Sequence, residues 1–125
     1  MRSAVRLSLA ALILSVAASA FAQNKAIGAW DFTTVSPEGT FTSQLVIREE
    51  GGKIVAVGKS DRGERPYDSV EVKESKITLV ITISYNGSPM TITYNGQVSD
   101  QNMGGEADFG GLATGTWSAA RHKTQ

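Results

Sequence analysis

From Lys76 to Tyr85 the chain alternates. Ile77, Leu79, Ile81, Ile83 and Tyr85 share one parity, Thr78, Thr82 and Ser84 share the other, and Val80 alone is out of phase. Successive side chains of an extended strand point to opposite faces, so this pattern predicts a strand with one buried face. The next segment repeats it, with Met90, Ile92 and Tyr94 set against Thr91, Thr93 and Asn95. β-branched residues dominate both runs, which suits a pleated surface. Helical periodicity is nearly absent after residue 23, so helical bundles and βαβ folds are excluded.

Turn residues punctuate the alternating runs. Pro37-Glu38-Gly39, Glu50-Gly51-Gly52, Glu74-Ser75, Asn86-Gly87, Ser99 to Asn102 and Gly110-Gly111 all fall between them, and a polar stretch from Lys59 to Pro66 makes the remaining connection. Seven connections join eight strands, placed at 28–35, 40–49, 53–59, 67–73, 76–85, 88–98, 102–109 and 113–121. Tyr-Asn-Gly occurs twice, at Tyr85 to Gly87 and at Tyr94 to Gly96. Were both turns, the segment after the second would be too short for a strand. Gly96 is therefore placed inside a strand, where glycine marks a bulge or sharp bend.

Eight antiparallel strands with one apolar face can bury it in a β-sandwich or in a barrel. Short chain, tight connections and no long crossover favour an eight-stranded antiparallel up-and-down β-barrel, which would also remove both sheet edges. Closure then requires the first strand to pair with the last. These carry the only two tryptophans, in Gly28-Ala29-Trp30 and Gly115-Thr116-Trp117.

The first residues read differently. Arg2 and Arg6 precede an apolar run from Leu7 to Val16, and Ala20-Phe21-Ala22 fits a small-x-small cleavage pattern. The expectation is a secretory signal peptide over 1–22 and a single domain over 23–125. The apolar run is shorter than the ~20 residues of a spanning helix. Gln23 rather than cysteine follows the cut, so no lipid attachment is expected. The exported chain, periplasmic or extracellular, then carries 10 basic and 12 acidic residues, a net charge of −2 with histidine neutral. No basic stripe is present, so nucleic acid is not an expected partner, nor is a membrane once the signal is cleaved. With no cysteine, stability must come from a packed core, which about 100 residues suffice to bury.

Gly28-x-Trp30 early and Arg121 late resemble the calycin superfamily of lipocalins, fatty-acid-binding proteins and avidins. There the first-strand tryptophan packs at one end of the barrel and a C-terminal basic side chain lies across it. The whole region after the signal is similar to small exported bacterial domains with an early G-x-W, a P-x-G turn, a GGK hairpin and a run like Gly96-x-Val98-x-Asp100-x-x-Met103-x-Gly105. These end in a strand like Gly115-Thr116-Trp117-Ser118-Ala119-Ala120-Arg121, and related segments are appended to exported hydrolases. The resemblance implies a barrel in which Gly28, Trp30, Gly115, Trp117 and Arg121 form a closure device. The chain lacks the C-terminal helix and disulfide of lipocalins and the two-helix lid of fatty-acid-binding proteins. Two tryptophans are too few for avidin-type biotin recognition.

Catalytic constellations are sparse. The single histidine, His122, is the fourth residue from the end, an unpromising place for a triad or a metal. No metal site and no cofactor are expected. Asp108-Phe109-Gly110 matches a kinase tripeptide without the accompanying loops. Asn86-Gly87-Ser88 is explained by a hairpin turn. Alternation turns Asp31, Glu71, Glu106 and Asp108 outward, away from any pocket.

The expected interior comprises Trp30, Phe32, Phe41, Leu45, Ile47, Val55, Val57, Val70, Val72, Ile77, Leu79, Ile81, Ile83, Met90, Ile92, Tyr94, Met103, Ala107, Phe109 and Trp117. Inward Ser43, Gly105, Ala107 and Gly115 are small. They either make room for the tryptophan rings or leave a pocket beside Tyr85 and Tyr94, whose hydroxyls would fix an apolar guest. Ligand-binding candidates are therefore Trp30, Ser43, Tyr85, Tyr94 and Trp117. Arg62 and Arg65 lie in the charged stretch, either a solvated loop or a rim that meets an acidic headgroup or a partner protein. The leading function is an exported, non-enzymatic barrel that binds a small apolar or amphipathic molecule. The alternative is an interaction or structural module, for example inhibitor-like, with a solid core and active loops. An enzyme is the third. Export should leave a chain beginning at Gln23; N-terminal sequencing of the exported protein checks this, and an intact Met1 would refute it.

Overall fold

The computed structural model describes residues 25–123; the expected signal segment lies outside them. Nine strands run in order: β1 (Gly28–Ser36), β2 (Gly39–Glu50), β3 (Lys53–Ser60), β4 (Gly63–Pro66), β5 (Ser69–Lys73), β6 (Lys76–Tyr85), β7 (Ser88–Val98), β8 (Asn102–Phe109) and β9 (Ala113–Arg121). All belong to one antiparallel sheet, ordered β4-β3-β2-β1-β9-β8-β7-β6-β5. A single sheet is not a sandwich. Asn86 and Gly87 both have positive φ, 53° and 82°, as a two-residue type I′ hairpin requires, and its right-handed twist suits the long β6–β7 pair.

The count corrects the expected eight strands. The extra one is β4, inside the stretch read as a connection. Ser60 pairs with Gly63 across the Asp61-Arg62 turn, and Lys59 with Glu64. A charged segment can be a strand here because all four of its residues are exposed. No apolar face is needed, and so no alternation signalled it.

β1 and β9 do pair, from Trp30 opposite Arg121 to Val35 opposite Thr116. The sheet nevertheless keeps two edges, β4 and β5, where a fully closed barrel was expected. These edges are consecutive in the chain. The Tyr67 amide donates to the Ala56 carbonyl of β3 at 2.9 Å, and the Asp68 amide to the Val80 carbonyl of β6 at 2.7 Å. One run of chain thus serves β3 with its first half and β6 with its second. β5 covers β6 only from Lys76 to Val80, so beyond Val80 no ladder joins β6 to β4.

The lower end is packed solid. Trp30, Leu45, Ile47, Ile77 and Leu79 are all essentially inaccessible. The Trp30 indole donates to the Ala26 carbonyl at 2.9 Å. The Arg121 guanidinium lies 4.0 Å above the Trp30 ring. It also donates to the carbonyls of Ile27 and Lys25, each at 2.6 Å, and of Asp100 at 2.9 Å. Residues 25–27 are thereby drawn across the end of the sheet. Gly28 permits this, because a Cβ there would run into the guanidinium.

Gly96 lies inside β7 as expected, but it marks neither a bulge nor a break. The ladders to β6 and β8 run through it without interruption. Its role is close approach: a Cβ on Gly96 would sit 2.8 Å from Cζ2 of Trp117. The indole of Trp117 lies on this bare backbone and donates to the Asn95 carbonyl at 3.1 Å.

Three residues expected in the interior are placed differently. Val55 and Val57 face outward, and Ile54, Ala56 and Gly58 face in, because Ala56 pairs with Ile47 and Gly58 with Leu45. Phe41 has the inward parity but is 57 % exposed, since it stands at the upper rim where the interior opens.

Arg121→Ala removes a cation–π contact and three hydrogen bonds from a charged donor. It should cost about 2–4 kcal/mol in urea unfolding. Arg121→Lys should recover less than half, because an ammonium cannot serve three divergent carbonyls. A midpoint unchanged by Arg121→Ala would refute the clamp.

Candidate functional site

Above the solid end lies an aromatic layer. Phe32 stacks on Trp117 with centroids 5.3 Å apart and planes at 22°. Tyr94 meets both edge-on, at 5.1 Å from Phe32 and 6.0 Å from Trp117. Tyr67 leans toward Tyr94 at 6.4 Å. Over this layer the interior opens into a cavity of about 690 Å³, within the range of roughly 300–1,000 Å³ usual for small-molecule sites.

Phe32, Thr34, Tyr67 and Tyr94 form its floor, and Ile81, Ile83, Met90, Ile92 and Phe109 form apolar walls. Pro37, Glu38, Phe41, Arg62, Tyr85 and Leu112 surround the mouth. The mouth is set by four hairpins that turn at the same end of the sheet: β1–β2, β3–β4, β6–β7 and β8–β9. A second, smaller cleft of about 330 Å³ lies between β4 and the unpaired part of β6 and shares Ser43, Arg62, Tyr67, Ile81, Ile83 and Ser84 with the cavity.

The polar groups are few and specific. All three tyrosines of the chain line the cavity. Burial raises the Tyr94 pKa from its ordinary value, and Thr34 beside it partly offsets the rise. Burial, and then the neighbouring Tyr94, push the Tyr67 phenol far above its ordinary value. At the mouth the Tyr85 hydroxyl donates to Glu38, and that hydrogen bond, followed by the Glu38 charge, raises the Tyr85 pKa.

The structure sorts the sequence-derived site residues into two groups. Ser43, Tyr85 and Tyr94 line the cavity, whereas Trp30 and Trp117 do not. Trp30 is sealed below, and Trp117 lies one aromatic layer beneath the floor. Arg62 sits in the tight β3–β4 turn at the mouth. Arg65 lies on β4 and borders the side cleft. Asp31, Glu71, Glu106 and Asp108 are exposed, and among the described residues no group of three or more His, Cys, Asp or Glu is placed to hold a metal. His122 Nδ1 is 2.8 Å from Asp31 Oδ1 on the outer surface.

Thr34, Tyr67 and Leu112 also line the cavity, although nothing in the sequence singled them out. Thr34 was accessible to reasoning, since it shares the parity of Trp30 and Phe32. Tyr67 was not. It is out of phase with inward Val70 and Val72, and only the bend at Tyr67-Asp68 turns it in. Its ring rests on Gly58, where a Cβ would stand 3.4 Å from Cε1 of Tyr67.

Comparison with solved structures places the fold. A redesigned beta barrel matches with a TM-score of 0.56 at 19 % identity, over 82 % of this chain and 96 % of its own. Another redesigned beta barrel, mFAP0, bound to DFHBI, matches at a TM-score of 0.48 and 18 % identity, over 78 % of this chain and 99 % of its own. The first of these likenesses makes the nine-stranded sheet barrel-like. No family model and no curated protein matches the chain.

The raised phenols set a pH dependence. A tyrosine whose folded pKa exceeds its unfolded value of 10.0 keeps its proton in the native state after the unfolded chain has lost it. Stability is therefore fully present below about pH 10 and is lost as the pH climbs toward the folded value. The urea midpoint should fall as the pH is raised from about 10 to about 11, and Tyr67→Phe should flatten that fall. An equally steep fall in the variant would show that Tyr67 is not its source.

Proposed function

We propose that this protein is an exported, non-enzymatic binder of a small apolar or amphipathic molecule, held in the cavity above the aromatic floor. The observation that carries the proposal is the cavity itself: about 690 Å³, with mainly apolar walls and hydroxyls from the floor, at Thr34, Tyr67 and Tyr94, to the mouth, at Tyr85. A chain selected only for a solid core would fill such a volume, because unfilled space forfeits dispersion contacts. The basic and apolar leader supports export. The exposed positions of the carboxylates and of His122 support binding without acid–base chemistry. The calycin class belongs to this proposal as well. The Trp30–Arg121 contact supports it, and β4 with the unpaired part of β6 departs from it.

Binding here would draw its affinity from apolar burial and its orientation from the tyrosine hydroxyls. Apolar contact contributes about 25 cal/mol per Å² removed from water, so even a small guest has a sizeable driving force. The mouth supplies opposite charges, Arg62 and Glu38, against which a guest's polar end can lie. Residues at the rim are otherwise apolar and exposed, notably Phe41 at 57 % and Leu112 at 77 %.

Native mass spectrometry of the protein purified from its own host should show a non-covalent adduct of a few hundred daltons. Ser43→Phe places a ring where Ser43 borders both openings, well above the solid core, and should abolish the adduct while leaving the thermal midpoint within a few degrees. An adduct retained by Ser43→Phe would place the guest elsewhere. Its absence from the unaltered protein would favour the interaction module, with the Arg62 turn as its contact.

A further inference from the structure

We infer that the cavity selects guests carrying a neutral hydrogen-bond acceptor, such as a ketone, at the end that enters first, with the Tyr67 and Tyr94 hydroxyls as the paired donors that read it. This inference rests on the binding function proposed above and specifies its ligand class. The floor is polar only through hydroxyls. The Tyr67 and Tyr94 rings stand side by side at that floor, 6.4 Å apart, and both line the cavity. Burial and the neighbouring Tyr94 raise the pKa of the Tyr67 phenol as burial raises that of Tyr94. Both groups hold their protons throughout the physiological range, so both are donors rather than anions.

Charge is excluded from this level of the cavity on both signs. Among the described residues Arg62 is the one cation on the cavity lining, and it belongs to the turn at the mouth. Glu38 is the one carboxylate on that lining and is held at the mouth by Tyr85. A carboxylate or ammonium pushed to the floor would be desolvated without a counter-charge, which is far costlier than burying a neutral oxygen that finds two donors. A purely apolar guest would leave the two hydroxyls facing it unpaired. The aromatic rings that line the floor suit an aromatic guest. A neutral aryl ketone meets all of these conditions.

Three naphthalenes of matched shape test this by equilibrium dialysis against the full chain: 2-acetylnaphthalene, 2-ethylnaphthalene and 2-naphthoate. The acetyl compound should bind on the order of tenfold more tightly than the other two, as one or two satisfied hydrogen bonds provide. In the Tyr67→Phe/Tyr94→Phe double variant the acetyl compound should lose that advantage over the ethyl compound, while ethyl binding stays unchanged or strengthens. Each substitution removes one oxygen. Should the double variant fail to fold, Tyr67→Phe alone must reduce the acetyl preference by at least about threefold. Equal binding of the acetyl and ethyl compounds, tightest binding of naphthoate, or a preference that survives the substitutions would overturn the inference and leave the cavity's binding role standing. Binding of none of the three would overturn both.

Discussion

The Arg121 guanidinium holds the lower end of this molecule together. It reaches the Trp30 ring and three backbone carbonyls from two separate regions, Lys25 and Ile27 before β1 and Asp100 before β8. A planar group with several fixed donors can satisfy such scattered acceptors at once. Without it the 25–27 segment would have the Trp30 indole bond as its main tie. Its effect is to seal one end of a barrel-like sheet, so that any internal space opens at the other. The asymmetry of the cavity follows from this seal.

The distribution of residue size completes the asymmetry. In the lower half, inward positions hold the bulky Trp30, Leu45, Ile47, Ile77 and Leu79, with Ala56 and Gly96 opposite Ile47 and Ile77. Higher up, they include Ser43, Gly58, Ala107 and Gly115. Not all of this small-residue volume becomes cavity. Gly96 accommodates the Trp117 ring, and a Cβ at Gly115 would stand 3.0 Å from the Phe109 ring. Gly58 seats Tyr67, and Ser43 borders open space. The small residues thus do both things that alternation left open: they seat aromatic rings, and they leave room above them.

The sequence was most informative where a strand is bounded by tight turns and has one apolar face. β6 and β7 are placed correctly to the residue, and the outward carboxylates follow directly. β3 shows where reasoning could have gone further. The turn at Gly51-Gly52 pairs Glu50 with Lys53, which fixes the parity of the whole strand. Inward Leu45 and Ile47 then require Gly58 and Ala56 inside. Preference for bulky Val55 and Val57 over Ala56 and Gly58 concealed this. Val57 is covered anyway, lying opposite Val46 and Pro66 on the outer face. Tyr67 and β4 were beyond such reasoning. The first depends on a bend that resets parity, and the second has no buried face. One of the two floor phenols was therefore hidden, and the two tryptophans, the most conspicuous aromatics, belong to the support beneath the site.

The unpaired seam and the cavity are parts of one feature. β4 ends its short pairing at Pro66, and β6 runs on past Val80 with one side unbonded. Exposed edges invite pairing with other chains. Here β4 is only four residues long, ends in a proline that offers no amide, and carries Glu64 and Arg65. Those features oppose growth of the sheet from that side. Closing the seam with another ladder would draw β4 onto β6 and close the cleft that shares Tyr67, Ser43 and Arg62 with the cavity. The seam therefore separates two demands on one sheet: continuous pairing through β1 and β9 supports the solid end, and interrupted pairing between β4 and β6 leaves the walls beside Tyr67 apart.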